Sequence, residues 1–169
     1  GESKTQGNWG EIMLVQILEK SGLKGGEEYH VQESFTTESG NRLQPDVIVD
    51  FPDNKHVIID SKVSLTAYER YVNATDEDSR KEALKEHLES VKRHIDSLAK
   101  KDYTRVYDME SLDFVMMFMP VEPAYMLAMQ QDPQLWQYAY DKRLVLVSPT
   151  HLFSSLRMIA GIWRQDKYN

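Results

Sequence analysis

Apolar and polar positions follow three kinds of spacing along this chain, and each spacing predicts a different element. Ile12, Met13, Val15, Ile17 and Leu18 recur as on one side of an amphipathic helix, which Gly22 and then Gly25-Gly26 bring to an end. From Tyr29 to Phe35, Tyr29, Val31 and Glu33 alternate with His30, Gln32 and Ser34, which predicts a strand followed by a polar tract, Thr36 to Arg42. Val47 to Phe51 and Val57 to Ile59 are strand-forming runs on either side of Pro52, Asp53, Asn54 and Lys55, the pattern of a β-hairpin. From Thr66 to about Lys101 the spacing is helical, with Leu84, Leu88, Val91, Ile95 and Leu98 forming one apolar stripe. Asn73 to Asp78 interrupts that region, so two helices are expected.

Leu112 to Pro120 is nearly continuous in apolar residues, as a buried central strand requires, and its methionines read as core filler. Tyr125 to Ala139 reads as helix broken at Pro133, with Asp132 capping the second half. Leu144 to Val147 is a short buried strand. Ser148-Pro149-Thr150 opens the last helix, with Thr150 as its expected N-cap and Leu152, Phe153, Leu156, Ile159, Ile162 and Trp163 as its apolar face. The order is helix, three strands, helices, strand, helices, strand, helix. It predicts an α/β domain with a mixed β-sheet and flanking helices.

Composition narrows this picture. At 169 residues the chain is expected to fold as a single domain, 1–169. Its 41% hydrophobic and 28% charged residues are those of an ordinary globular protein. No apolar run is long enough for a membrane span and no signal peptide is visible. The absence of cysteine excludes disulfides and thiolate metal sites. A net charge of −7 and a pI near 5.2 argue against a protein that coats nucleic acid, although an enzyme with local cations can still act on DNA. The start at Gly1 rather than Met suggests a piece of something longer.

The candidate chemistry lies in the hairpin. Asp60 and Lys62 are two apart and face the same way on a strand. If Pro52 to Asn54 form the loop, Phe51 pairs with Lys55 and Asp46 falls opposite Asp60. Two carboxylates and an ammonium at one point suit a hard divalent cation such as Mg²⁺ or Mn²⁺ acting on a phosphate. The bland reading is a surface ion pair, which contributes only about 0–1 kcal/mol. Pro45-Asp46 followed by Asp60-x-Lys62 is the pattern of the PD-(D/E)xK nucleases, whose core runs αβββαβ in the restriction-endonuclease-like fold. Glu11 has two readings: a capping box with Asn8 as N-cap, or a third acid brought to the site by the first helix. Glu122, at the end of the central strand, and His94, seven after His87 on the helical stripe, are secondary candidates. Gln32 and Glu33 are weaker ones. Lys92, Arg93, Lys100 and Lys101 make the late turns of that helix basic, either complementing its C-terminus or contacting DNA phosphates. Arg157 and Arg164 read as a basic edge or as stems covering apolar surface.

Beyond the nuclease pattern, Gly7-Asn8-Trp9-Gly10-Glu11, Gln44 to Tyr71, His87 to Tyr103, Asp113 to Tyr125, Leu146 to Leu152 and Ile162-Trp163-Arg164 together resemble the RmuC family of bacterial DNA recombination proteins. The resemblance implies a metal-dependent nuclease domain acting on DNA. Asp46 and Asp60 would be metal ligands, Lys62 the catalytic lysine, Glu11 the first-helix acid and Ser61 a ligand through its backbone carbonyl. It also implies a membrane-anchoring and coiled-coil region ahead of this domain. The domain would then work at the cytoplasmic side of the inner membrane without touching it, and the coiled coil would serve oligomerisation. Two other readings stay open: a non-catalytic DNA- or partner-binding module, and a two-carboxylate glycosidase, which leaves Lys62 unexplained.

Overall fold

A computed structural model describes residues 2–31, 35–36, 42–43, 45–62, 65–101, 103 and 114–168. The elements are α1 (Glu2–Lys20), β1 (Tyr29–Val31), β2 (Phe35–Thr36), β3 (Arg42–Leu43), β4 (Val47–Asp50), β5 (His56–Ser61), α2 (Thr66–Asn73), α3 (Glu77–Ala99), β6 (Val115–Phe118), α4 (Glu122–Gln131), α5 (Gln134–Tyr140), β7 (Leu144–Val147) and α6 (Pro149–Lys167). Five strands form one sheet in the order β1-β4-β5-β6-β7, while β2 and β3 pair separately. The β1/β4 and β4/β5 pairs are antiparallel, and β5/β6 and β6/β7 are parallel. Each parallel pair needs a crossover, which α2 and α3 supply for the first and α4 and α5 for the second. No helix among the described residues is long and apolar enough to cross a membrane.

Strand alternation sorts side chains onto two apolar layers. Ile48, Ile58 and Met117 pack under Val91, Ile95 and Leu98 of α3 and under Ala128, Leu135 and Ala139 of α4 and α5. Val47, Val49, Ile59, Met116 and Phe118 pack on the other face, under Leu14 and Leu18 of α1 and Leu152, Leu156 and Ile159 of α6. Burial on both faces is why the parallel strands read as unbroken apolar runs. The same alternation sends Asp46, Asp60 and Lys62 toward the α3 side.

The hairpin has the expected register. Phe51 N–H donates to Lys55 O at 2.8 Å, and Asn54 takes φ +65°, a left-handed conformation that asparagine tolerates in turns. Val47 pairs with Ile59 and Asp50 with His56, so one further step sets Asp46 against Asp60. The break at 73–78 is present too. Asp76 caps α3 by accepting from Ser79 N–H at 2.8 Å. Asp132 accepts from Gln134 N–H at 3.2 Å, but Pro133, not Asp132, stands at the N-cap of α5, which has no side-chain cap bond.

Four other sequence expectations need correction. The helix α1 already includes Asn8, so Glu11 lies mid-helix with paired backbone around it and the capping box does not form. The last helix is capped by Ser148, which accepts from His151 N–H, because Pro149 presets the first helical φ and places Thr150 inside the first turn. The strand expected over 29–35 is β1 and β2, belonging to different sheets, and Gln32 and Glu33 lie outside the described residues. The central strand occupies Val115–Phe118 of the longer apolar run, residues 112–113 being outside the described residues.

Candidate active site

Three groups meet at the end of β4 and β5. Asp60 is buried at the end of a ladder bonded on both sides, to β4 and to β6. Asp46, half-buried across from it, accepts a hydrogen bond from Ser61 N–H at 2.6 Å. Lys62 reaches back from just beyond β5 to place Nζ 3.1 Å from Asp60 Oδ2, and its own N–H donates to Phe118 O at 3.0 Å. The two lysines nearest Asp60 are Lys62 and Lys101, the latter 3.9 Å away. Asp60 Oδ2 is buried and accepts no hydrogen bond of ordinary geometry among the described residues, so ion pairing alone meets its charge.

The pair is electrostatically crowded. Burial, followed by the charge of Asp60 and a hydrogen bond shared with it, pushes the Asp46 carboxyl up to about 8; the charge of Glu11 adds to this, and the Ser61 N–H opposes it. Two carboxyl groups this close do not both ionise readily. The neutral, protonated Asp46 therefore marks a place where positive charge is wanted. That fits a divalent cation, since Mg²⁺ and Mn²⁺ take oxygen ligands from one or two carboxylates. Among the described residues no three His, Asp or Glu side chains gather closely enough to cage an ion by themselves.

The remaining candidates separate. Glu11 is half-buried on α1, whose earlier residue Gln6 accepts from Leu65 N–H at 3.3 Å; the helix thus borders the segment after β5, and its charge is felt at Asp46. Gln6 went unnoticed in the sequence, because no local spacing marks a contact with a residue 59 positions away. His94 lies with Lys62, His87, Met117 and Met119 around a small apolar cleft beside the carboxylates. Burial, then the charges of Lys62 and Arg93, lower it to about 4, so it is a neutral imidazole at ordinary pH. His87 is structural: it is buried and its Nε2 donates to Ala124 O at 2.8 Å.

Glu122 is not joined to the carboxylates by any contact of the described residues. It opens α4 and accepts from the N–H and hydroxyl of Thr150, tying the start of α4 to the start of α6. Burial would raise its carboxyl, but hydrogen bonds from Ser148 and Thr150 outweigh that and hold it below the usual range. The basic residues of late α3 disperse as well. Lys92 Nζ lies 5.5 Å from the Tyr138 ring centre, Arg93 and Lys100 are exposed, and Lys101 turns to Asp60. Arg157 donates to Ser21 O at 2.9 Å, fastening the end of α1 to α6.

The whole chain, residues 1–169, matches the family model described as RmuC family. It is 49% identical over 169 residues to the DNA recombination protein RmuC homolog of Vibrio cholerae, covering 100% of this chain and 33% of that protein. It is 48% identical to the homolog of Pseudomonas aeruginosa, covering 98% of this chain and 37% of that protein. With the DNA recombination protein RmuC of Escherichia coli K12 the identity is 49%, over 98% of this chain and 35% of that protein. The chain thus spans about a third of the length of these relatives, and it belongs to the RmuC family.

Proposed function

We propose that this chain is a divalent-metal-dependent deoxyribonuclease domain that hydrolyses phosphodiester bonds in the course of DNA recombination. The observation that carries the reading is the meeting of Asp46, Asp60 and Lys62 at one strand end, where the buried Asp60 Oδ2 is met by ammonium groups alone and Asp46 lies beside it. The order α1, β1, β4, β5, α3, β6, with β6 parallel to β5, is the order expected of a PD-(D/E)xK core and supports that finer reading of the fold. The relatives, DNA recombination proteins by name, supply the link to DNA recombination.

Asp46 and Asp60 would hold Mg²⁺ or Mn²⁺, with the Ser61 carbonyl as a further oxygen and Glu11 adding negative charge from α1. A cation there supplies Lewis acidity toward a phosphate oxygen and a water. With a cation held there, Asp46 would lose its proton to solvent and serve as a carboxylate ligand. Lys62 keeps an ammonium beside the reacting phosphate, where it orients the attacking water and meets the negative charge that grows on the phosphoryl oxygens. His94 stays neutral and lines the cleft as a single hydrogen-bonding group. A non-catalytic DNA- or partner-binding module is the competing reading, favoured by the net charge of −7.

Cleavage of labelled linear, hairpin and branched DNA with Mg²⁺ or Mn²⁺ separates the two. Wild type should cut, whereas Asp60→Asn and Lys62→Ala should lose activity by about 10² or more. Metal binding by a wild type that cuts none of these substrates would favour the binding module.

A further inference from the structure

We propose that Lys101 is a second cation of this site: without metal it shares Asp60 with Lys62, and when a divalent ion takes Asp60 it is released to bind a phosphate oxygen of the DNA. The inference rests on the nuclease reading for its substrate, and on the geometry of the site for its starting position.

Two ammonium groups converge on the same buried oxygen, Asp60 Oδ2, but they are held differently. Lys62 follows directly from β5, its backbone bonded to Phe118, and its side chain is 21% exposed with Nζ at 3.1 Å. Lys101 stands just past α3, where its N–H donates to Leu98 O at 3.1 Å and the buried Leu98 side chain anchors that last turn. Its side chain is 34% exposed and Nζ is 3.9 Å from the carboxylate. The Lys101 backbone is therefore fixed at the rim, while the ammonium sits at the end of a flexible four-carbon stem with a path to solvent.

An ion pair at that separation and exposure is weak. A divalent cation on Asp60 repels both ammonium groups, and the more exposed one yields at lower cost. A compact, hydrated point charge at the rim then suits a phosphate oxygen, to which lysine binds without demanding a fixed angle. Among the described residues Lys101 alone of the four late-α3 cations pairs with a carboxylate of the site.

Lys101 thus competes with metal and assists DNA, so its removal should move the two affinities in opposite directions, which a merely structural role would not do. Mn²⁺ binding to the 169-residue chain can be measured by calorimetry for wild type, Lys101→Met and Lys101→Arg. Binding of a labelled duplex with Mg²⁺ present can be measured across salt concentrations in a Lys62→Met background, where the DNA stays uncut. Lys101→Met should bind Mn²⁺ about three- to tenfold more tightly than wild type. It should also bind DNA more weakly, with a log–log salt slope smaller by about 0.9, and Lys101→Arg should restore that slope. Unchanged or weaker Mn²⁺ binding in Lys101→Met, in a wild type that cuts DNA, overturns this inference alone. A wild type that binds Mn²⁺ but neither binds nor cuts DNA overturns the nuclease reading and the phosphate role of Lys101 with it.

Discussion

Asp46 stands opposite the buried Asp60 and shares a hydrogen bond with it, and the proton retained on Asp46 makes the pair sensitive to pH. An unfolded chain releases that proton near 3.8, whereas the folded protein keeps it until about 8. Between those values the folded state binds more protons than the unfolded one, so stability falls as pH rises. The metal-free protein should therefore lose melting temperature from about pH 4 to about pH 8, and Asp46→Asn should flatten that decline. A wild-type profile that rises over this range would contradict the protonated pair. Metal loading needs the same proton removed, so affinity for Mn²⁺ should climb with pH and level off above about 8. The identities of these residues were legible in the sequence because Asp60-x-Lys62 fixes a shared strand face. Their protonation was not, since it depends on burial in the folded chain and on the charge of the facing carboxylate.

At the scale of elements, local chemistry was readable wherever turn residues set the geometry. Pro52 to Lys55 fixed the hairpin register, and with it the approach of Asp46 to Asp60. The breaks at Asp76 and Pro133 were readable from different residues: Asp76 caps α3, whereas at the second break Pro133 takes the cap position that Asp132 was expected to fill. Helix starts were harder, because Ser148, Thr150 and Asn8 are all competent caps and only the observed backbone chooses among them. Glu122 shows a further limit. A strand-end acid looks catalytic in one dimension, yet β7 lies beside β6, and the first turn of α6 takes up the carboxylate as a splice between two helix starts. Replacing Ser148 by Ala should cost about 1 kcal/mol through the lost cap. Glu122→Ala should lower the melting temperature but leave the response to Mn²⁺ at its wild-type size. A lost metal response in Glu122→Ala would return that residue to the candidate site.

Across the whole molecule, two apolar layers clamp the sheet, and the candidate site sits where the clamp ends, at the strand end bordered by α1 and α3. That position explains what could not be read from the chain alone. Lys101 reaches Asp60, and the charge of Glu11 is felt at Asp46, because α3 and α1 cover the two faces of one sheet, and no local spacing encodes the angle between them. The same arrangement couples the ion to folding. Asp46 and Asp60 come from two strands of the central sheet, so an ion that binds both favours the folded chain over the unfolded one by mass action. Titration with Mn²⁺, followed by calorimetry and melting temperature for wild type and Asp60→Asn, is therefore the most direct measurement. The expected result is one ion bound by wild type with a rise of several degrees in melting temperature at saturation, and neither effect in Asp60→Asn. Melting curves for wild type that do not respond to Mn²⁺, or an equal response in both proteins, would show that the carboxylate pair is an ion-paired strand end and not a metal centre.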